Sequence, residues 1–277
     1  IKVSIIYFSL ISIFSFVLQY TISSFINIEF FQNRFPNFRI LFFIAYLLHR
    51  KFTFKNYQKV GLAIHLNKEN NISEIYKKVK NFHDFIHVDL IDETINKENI
   101  SCDIDKINEI KNYWPKKKIQ VHIMSTNPLK WIDKLPKLNN IEVFYHFHNK
   151  LNNKEISKYI EDKNFVSGIV LDSLLHIQKI NDLAKYFKNF MVLCIEKPGF
   201  SGQKFRSESK EIIDELVLTS KVDSSIKITL DGGITPIIAS QFNVQEVVSA
   251  SAILSSTDSR KQIINFQTSQ KYENLTK

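Results

Sequence analysis

The chain has 277 residues, of which 44% are hydrophobic, and its formal net charge is +9 at pH 7. This length allows one large α/β domain or two small ones, and the apolar content is ample for a core. Its two cysteines, Cys102 in a polar segment and Cys194 in an apolar one, exclude a disulfide framework and a cysteine-based metal site. Because lysines alternate with Asp and Glu through the chain, the charge predicts a solvated surface rather than a nucleic-acid interface.

The first 58 residues differ in composition from the rest. No charged residue occurs from Val3 to Ile28, and no acidic residue occurs from Phe30 to Asn67, where several basic residues lie. An apolar leader followed by a basic, acid-free stretch resembles a two-part presequence for secretory entry and plastid import, the localisation that we favour. The alternative is a membrane anchor, with residues 3–28 in contact with the membrane. In either case we expect the folded domain to comprise residues 59–277.

From Val60 onward the chain repeats one unit, in which a short apolar run, a polar turn and a helix-length amphipathic pattern follow one another. The apolar runs that predict strands are Val60–Leu66, Phe85–Ile91, Ile119–Met124, Val143–Phe147, Gly168–Leu171, Phe190–Ile195, Ile226–Leu230 and Val247–Ala250. The patterns that predict helices are Ile72–Asn81, Ile104–Tyr113, Pro128–Leu135, Glu155–Glu161, Leu175–Phe187, Ser207–Leu218 and Pro236–Phe242. This strict alternation predicts an α/β protein built as a closed (β/α)8 TIM barrel, with its chemistry at the C-terminal ends of the strands.

Polar residues that can bind a metal occur at three of these strand ends. The second strand carries His87 and Asp89 on one face, the third carries His122, and the seventh ends at Asp231. Two imidazoles and two carboxylates that converge on one ion suit Zn²⁺, Fe²⁺, Mn²⁺ or Co²⁺. For each residue alone the alternative is structural, namely a histidine bonded to the backbone or an aspartate that caps a helix.

Glycine is rare in this chain and clustered. Of the six glycines, four lie at Gly199, Gly202, Gly232 and Gly233, where two apolar strands end. Glycine tolerates positive φ and close approach, so such turns can direct backbone N–H groups at an anion. The alternative is a pair of ordinary surface turns. Two glycine-marked strand ends at one face of a parallel barrel favour a phosphate site.

In their order along the chain these motifs resemble those of the ribulose-phosphate 3-epimerase family, from about Val60 to Leu254. The family's motifs H-x-D-x-M-D-G, V-H-L-M, PGFGGQ-F, V-D-G-G-I and V-x-G-S-A-I-F are matched by His87–Glu93, Val121–Met124, Pro198–Phe205, Leu230–Ile234 and Val248–Leu254. The resemblance implies a phosphorylated ketopentose as substrate and interconversion of D-ribulose 5-phosphate and D-xylulose 5-phosphate.

The resemblance also implies roles for individual residues. One divalent metal would be bound by His87, Asp89, His122 and Asp231, with Asp89 and Asp231 as the catalytic groups on opposite faces of the substrate. Met124, Ile91 and Cys194 would form an apolar wall over the reacting carbons. The residues implied in substrate binding are Met124, Gly199, Phe200, Ser201, Gly202, Gly232, Gly233, Ala250 and Ser251.

Several positions depart from the family pattern. Ala63 stands where the family has a serine on the first strand, Ser201 and Ala250 replace glycines of the phosphate site, and Asp172-Ser173 replaces Asn-Pro. These changes keep two alternatives open: an epimerase for another ketose phosphate, and a non-catalytic barrel that serves as a structural or assembly subunit. Self-association is left open as well.

Four further histidines are assigned from their positions alone. We expect His146 and His148, near the end of the fourth strand, to support a metal ligand or to be structural. We expect His65 and His83 to be structural or solvated.

Overall fold

A computed structural model describes residues 58–97, 102–200 and 202–269. The leader or anchor predicted for residues 1–58 lies outside the described residues, except for Gln58. Ser201, predicted to bind substrate, also lies outside them. Within the described part of the chain, no helix is long and apolar enough to cross a membrane.

The strands form a closed parallel barrel in which each strand pairs with its neighbours in the chain and the last pairs with the first. The strands are β1 (Lys59–His65), β2 (Phe85–Ile91), β3 (Ile119–Met124), β4 (Ile141–His146), β5 (Val166–Leu171), β6 (Asn189–Leu193), β7 (Lys227–Asp231) and β8 (Glu246–Ser249). The predicted TIM barrel is therefore confirmed, and each predicted strand overlaps an observed one.

Helices follow the strands and cover the outside of the barrel. The α-helices of the described residues are α1 (Ile72–Val79), α2 (Lys106–Tyr113), α3 (Pro128–Ile132), α4 (Asn153–Asp162), α5 (Ile180–Leu183), α6 (Ser209–Val222), α7 (Pro236–Ser240), α8 (Ser251–Leu254) and α9 (Ser259–Thr268). Side chains cap many of them: Asn71 accepts from the backbone N–H of Glu74, and Asp258 accepts from those of Arg260 and Lys261.

One predicted helix has a different form. The segment predicted as a single helix, Leu175–Phe187, is a 3₁₀ helix (Leu174–Lys179) followed by the single turn α5. Ile177 of the 3₁₀ helix and Ile180 and Leu183 of α5 pack in the large apolar core. The helices α8 and α9 were not predicted from the sequence.

Strand alternation divides the side chains between two environments. On β2, Val88 and Leu90 belong to the large apolar core that also contains helix residues such as Ile107. The intervening residues His87 and Asp89 are buried inside the barrel. The prediction that His87 and Asp89 share one face of β2 is therefore confirmed.

Aromatic rings fill part of the barrel interior, and two glycines make room for them. A Cβ atom at Gly168 would lie 2.4 Å from the ring of Phe144, and one at Gly61 would lie 2.3 Å from the ring of Phe85. Phe144 packs with Val170 and Met191 in a second apolar cluster. These glycines are therefore required by packing and not by a turn.

Candidate metal centre and active site

The four predicted metal ligands meet at the C-terminal end of the barrel. One ligand atom from each of His87, Asp89, His122 and Asp231 lies within 4.8 Å of the other three, and all four residues are buried. We call these residues the metal quartet. They come from β2, β3 and the last residue of β7, so barrel closure brings them together. This donor set of two imidazole nitrogens and two carboxylates can hold a divalent transition-metal ion.

Contacts within the metal quartet show which atoms face the shared centre. His87 Nε2 lies 3.1 Å from Asp89 Oδ1 and 3.6 Å from Asp231 Oδ2. His122 Nδ1 lies 3.2 Å from Asp231 Oδ2 and 3.4 Å from Asp89 Oδ1. The two histidines therefore present different ring nitrogens, Nε2 of His87 and Nδ1 of His122, to the same pair of carboxylates.

The electrostatics of the metal quartet favour a cation. Burial alone would lower the pKa of His122, but its hydrogen bonds with Asp231 and Asp89 raise that pKa to about 9. Burial opposes ionisation of Asp89 as well, yet the charge of His87 and the hydrogen bonds from both histidines hold the pKa of Asp89 well below its usual value. The carboxylates thus bind positive charge strongly, and an incoming metal ion replaces protons on the imidazoles.

The first of two supports for the ligand histidines lies below the quartet. The Nδ1–H of His87 donates to Gln120 Oε1 at 3.3 Å, and Gln120 Nε2 donates to Glu246 Oε2 at 2.6 Å and to Glu142 Oε2 at 3.0 Å. Because carboxylates only accept, the amide of Gln120 is fixed with its oxygen toward His87. Nε2 of His87, the nitrogen that a metal ion would use, therefore faces the metal quartet.

Gln120 belongs to a second buried polar cluster nearer the N-terminal ends of the strands. Lys118 Nζ lies 2.8 Å from a carboxylate oxygen of Glu142 and 2.8 Å from one of Glu246. Thr229 Oγ1 donates to Glu246 Oε2 at 3.2 Å. We call Lys118, Gln120, Glu142, Thr229 and Glu246 the lower cluster. Sequence reasoning did not find it, although the alternation of β3 places Gln120 on the same face as His122.

The second ligand histidine contacts another histidine. His122 Nε2 lies 3.0 Å from His146 Nε2, and His146 Nδ1 lies 2.7 Å from Asp172 Oδ2. Burial lowers the pKa of His146 despite the hydrogen bond to Asp172, so this ring is neutral at physiological pH. His148, by contrast, is exposed and accepts from the backbone N–H of Lys150. His146 therefore supports a ligand of the metal quartet, and His148 belongs to a surface turn.

A cleft opens beside the metal quartet and contains most of the predicted substrate-binding residues. The lining includes Asp89, Asp231, Met124, Gly199, Phe200, Gly202, Gly232, Gly233, Ala250 and Ser251. Gly232 and Gly233 have φ values of 90° and 69°, and a Cβ atom at Gly233 would lie 2.4 Å from the backbone nitrogen of Phe205. Glycine is required at this position by both conformation and space.

Gln203, which also lines the cleft, closes the glycine loop on itself. Its Nε2 donates to the carbonyls of Lys197 and Phe200 at 2.7 and 2.6 Å, and its Oε1 accepts from the N–H of Lys197 at 3.0 Å. The loop between these residues is therefore held by side-chain hydrogen bonds.

The apolar wall differs from the one predicted. Met124 lines the cleft and Ile91 packs beside Gly199, but Cys194 belongs to the large outer core. The prediction for Cys194 was wrong because β6 ends at Leu193 with its inward positions at odd numbers, so Leu193 and Ile195 line the cleft instead.

Sequence reasoning also missed His65. This residue ends β1 and lines the cleft, with its Nδ1 3.7 Å from Asp89 Oδ2, beyond hydrogen-bond distance. Ala63, two residues earlier, lines the cleft too. The alternation of β1 was the signal that could have placed both side chains inside the barrel. His83 is buried away from the cleft, against the ring of Trp114.

A buried centre of two histidines and two aspartates beside a glycine-lined cleft defines the class: a TIM barrel with a candidate metal centre at the C-terminal end, where TIM-barrel enzymes have their active sites. The sequence model of the ribulose-phosphate 3-epimerase family matches residues 59–254 of this chain. The chain therefore belongs to this family.

The chain is similar to named members of the family along most of their length. A ribulose-phosphate 3-epimerase of Aquifex aeolicus (strain VF5) is 27% identical over 180 residues, which cover 65% of this chain and 78% of that protein. One of Encephalitozoon cuniculi (strain GB-M1) is 26% identical over 181 residues, which cover 64% and 78%. A solved 3-hexulose-6-phosphate synthase matches with a TM-score of 0.54 at 17% identity, over 76% of this chain and 99% of that one, a likeness of fold alone.

Proposed function

We propose that the protein interconverts D-ribulose 5-phosphate and D-xylulose 5-phosphate by proton transfer at C3. The observation that carries this proposal is the convergence of Asp89 and Asp231 on one centre with His87 and His122. A hydrogen on a carbon next to a ketone is weakly acidic, so its removal needs both a positioned base and stabilisation of the negative charge that develops. Family membership supports a phosphorylated ketose as the substrate.

The metal quartet would hold one divalent ion, of the group Zn²⁺, Fe²⁺, Mn²⁺ and Co²⁺. When bound, that ion supplies charge stabilisation for the substrate oxygens next to C3. Asp89 and Asp231 come from β2 and β7, with β8 and β1 between them in the barrel. One carboxylate removes the C3 proton, and the other donates a proton on the opposite face, which inverts the centre without turning the sugar.

The cleft supplies binding for the rest of the substrate. Met124, Leu193 and Ile195 form its apolar part and exclude water from the reacting carbons. Backbone N–H groups of the glycine turns at Gly202 and Gly233 would bind the phosphate. The other residues assigned to this end are Gly199, Phe200, Ser201, Gly232, Ala250 and Ser251.

A solvent-exchange assay tests the proposal most directly. The metal-loaded chain is incubated with D-ribulose 5-phosphate in D₂O, and deuterium at C3 and formation of D-xylulose 5-phosphate are followed. Asp89→Asn and Asp231→Asn each remove a proton-transfer group, so we expect each to lower turnover by about 10²–10⁴-fold. Asp223→Asn, at an exposed ion pair with Lys188 outside the cleft, is the matched control and should leave turnover unchanged.

The outcome of this assay separates the alternatives. The chain could bind metal and incorporate deuterium into another ketose phosphate but not into D-ribulose 5-phosphate. That result would assign a different substrate to the same proton-transfer chemistry. Ala63 favours this second candidate, because it places a methyl group in the cleft where a hydroxyl would contact substrate. A wild-type chain that binds no divalent ion and exchanges no ketose phosphate overturns the proposal in favour of a non-catalytic barrel.

A further inference from the structure

On the side of its ring away from the metal quartet, His122 contacts His146, which in turn contacts Asp172. Neither His146 nor Asp172 has a role in the proposed reaction. Its ring and that of His146 lie within 19° of parallel, with centroids 5.1 Å apart and Nε2 atoms 3.0 Å apart. Since the centroid separation exceeds the Nε2 separation by about two ring radii, the rings meet end to end and do not overlap face to face. This is the geometry of a hydrogen bond between imidazoles.

Asp172 decides the direction of that hydrogen bond. Its Oδ2 lies 2.7 Å from His146 Nδ1, and an ionised carboxylate only accepts. Burial would raise the pKa of Asp172, but the hydrogen bond from His146 lowers it below its usual value, so the carboxylate is ionised. His146 therefore carries its proton on Nδ1, and its Nε2 has a lone pair available for the Nε2–H of His122.

We propose that Asp172 and His146 are positioning residues that hold His122 in the tautomer with hydrogen on Nε2, so that its Nδ1 lone pair faces the metal quartet. Without this pair the Nε2–H of His122 would have no acceptor among the described residues. On losing one proton, the ring could then keep its remaining hydrogen on Nδ1, the nitrogen that lies 3.2 Å from Asp231 Oδ2. That tautomer cannot bind a metal through Nδ1, so metal affinity depends on the pair.

The anchor of the pair is itself held in place. Arg206 Nη2 donates to the backbone carbonyl of Asp172 at 2.6 Å, and Arg206 N–H donates to the carbonyl of Cys194 at 2.7 Å. These bonds tie the ends of β5 and β6 together at the position where Asp172 begins the loop. The carboxylate of Asp172 is therefore directed at His146 by the backbone.

Metal affinity is the appropriate measurement, because it does not require any substrate. The inference rests on the metal site of the proposed function but not on its reaction. Affinity for Co²⁺, followed by the visible absorption of the bound ion, is compared among the wild type, His146→Phe, Asp172→Asn and the double variant. We expect about 10–100-fold weaker Co²⁺ binding in His146→Phe, and a smaller loss in Asp172→Asn because an asparagine oxygen still accepts. Asp182→Asn, at an exposed ion pair with Lys185, is the matched control and should bind Co²⁺ like the wild type.

The double variant distinguishes positioning from general disruption. Because Asp172 acts through His146, Asp172→Asn should add nothing to the loss already caused by His146→Phe. Additive losses, or wild-type affinity in His146→Phe, would overturn the proposal. In the Zn²⁺-loaded wild type, ¹H–¹⁵N correlations of the imidazoles should show hydrogen on Nδ1 of His146 and on Nε2 of His122. Hydrogen on Nε2 of His146 would overturn it as well, even in a protein that turns over no ketose phosphate.

Discussion

Two buried polar clusters lie one above the other inside this barrel, and they neutralise their carboxylates in different ways. The lower cluster contains Glu142 and Glu246, and Lys118 forms ion pairs with both. The metal quartet contains Asp89 and Asp231, and among the described residues these carboxylates pair only with histidines. In the lower cluster the cation is therefore a side chain of the protein itself, Lys118. The metal quartet, by contrast, can exchange its imidazole protons for an external ion.

This difference indicates that the lower cluster is structural and that the metal quartet is the candidate functional site. A permanent ammonium group holds two glutamates in one arrangement and leaves no coordination site for a ligand. Two imidazoles that can release their protons beside two carboxylates instead provide four ligand groups that converge on one point. Buried charge alone therefore does not mark a functional site in this barrel. What distinguishes the functional site is that its carboxylates are paired with histidines, which can give up their protons, and not with a lysine.

The largest effect on stability is expected from Lys118→Met. Loss of the ammonium leaves Glu142 and Glu246 buried without a cation, and we expect the free energy of unfolding to fall by about 3 kcal/mol in urea denaturation. Lys185→Met, at an exposed ion pair, is the matched control and should cause a much smaller loss. Adding Glu142→Gln and Glu246→Gln should restore most of the loss. A change as small as that of the control would mean that the lower cluster is not structural.

Metal addition should stabilise the protein only through the metal quartet. At a free ion concentration one hundred times the dissociation constant, binding to the folded state raises the free energy of unfolding by about 2.7 kcal/mol. Thermal denaturation with and without a chelator measures this rise. Lys118→Met should keep the metal-dependent increase, whereas Asp231→Asn should lose most of it. An equal increase in both variants would contradict the assignment of the ion to the metal quartet.

His83 extends the comparison to a buried group that has no counter-charge. Both of its ring nitrogens lack a partner among the described residues, and burial lowers its pKa from 6.5 to about 3. Between these values the unfolded state binds a proton that the folded state does not, so stability falls as the pH drops below 6.5. From pH 7 to pH 5 the wild type should lose about 2 kcal/mol relative to His83→Leu in urea denaturation. Parallel pH profiles of the two proteins would contradict this expectation.

The smallest effect is expected at Gln120, which joins the two clusters. Gln120→Met removes the acceptor for His87 Nδ1–H, and we expect about 10-fold weaker Co²⁺ binding in absorption titrations. Gln241→Met, at an exposed position on the outside of the barrel, serves as the control. Unchanged Co²⁺ affinity in Gln120→Met would show that the lower cluster does not orient His87.

Much of the fold could be predicted because its signals are local. The period of two in His87-Val88-Asp89-Leu90 shows which side chains face inward, and the repeated strand–helix unit shows how many strands close the barrel. The 3₁₀ segment from Leu174 was not predicted, because an apolar residue at every third or fourth position fits both helix types over so short a length. Cys194 was misassigned because it was placed by the resemblance alone, whereas the alternation of β6 directs Leu193 and Ile195 inward and Cys194 into the outer core.

The supports of the site could be predicted only in part, because support of a metal ligand was one of two roles expected for His146, while Gln120 and Asp172 were not foreseen as supports. Gln120 lies on β3, His146 ends β4 and Asp172 begins the loop after β5, so their roles depend on side-chain contacts between segments that are far apart in sequence. The local sequence His146-Phe147 at the end of β4 does not indicate that Asp172 is the hydrogen-bond partner of His146. Only the distances in the folded barrel show that Asp172 Oδ2, His146 and His122 form one hydrogen-bonded series.

By itself, the sequence determined the alternation of strands and helices, the inward face of β2 and the residue types at the strand ends. Those properties depend on neighbours one to four positions apart, which the backbone geometry relates directly. The tertiary structure decided which inward side chains meet, which ring nitrogen each histidine presents, and which carboxylates have a cation of their own. Those properties depend on the stagger and closure of the barrel, because closure brings residues more than one hundred positions apart, such as His122 and Asp231, within hydrogen-bond distance.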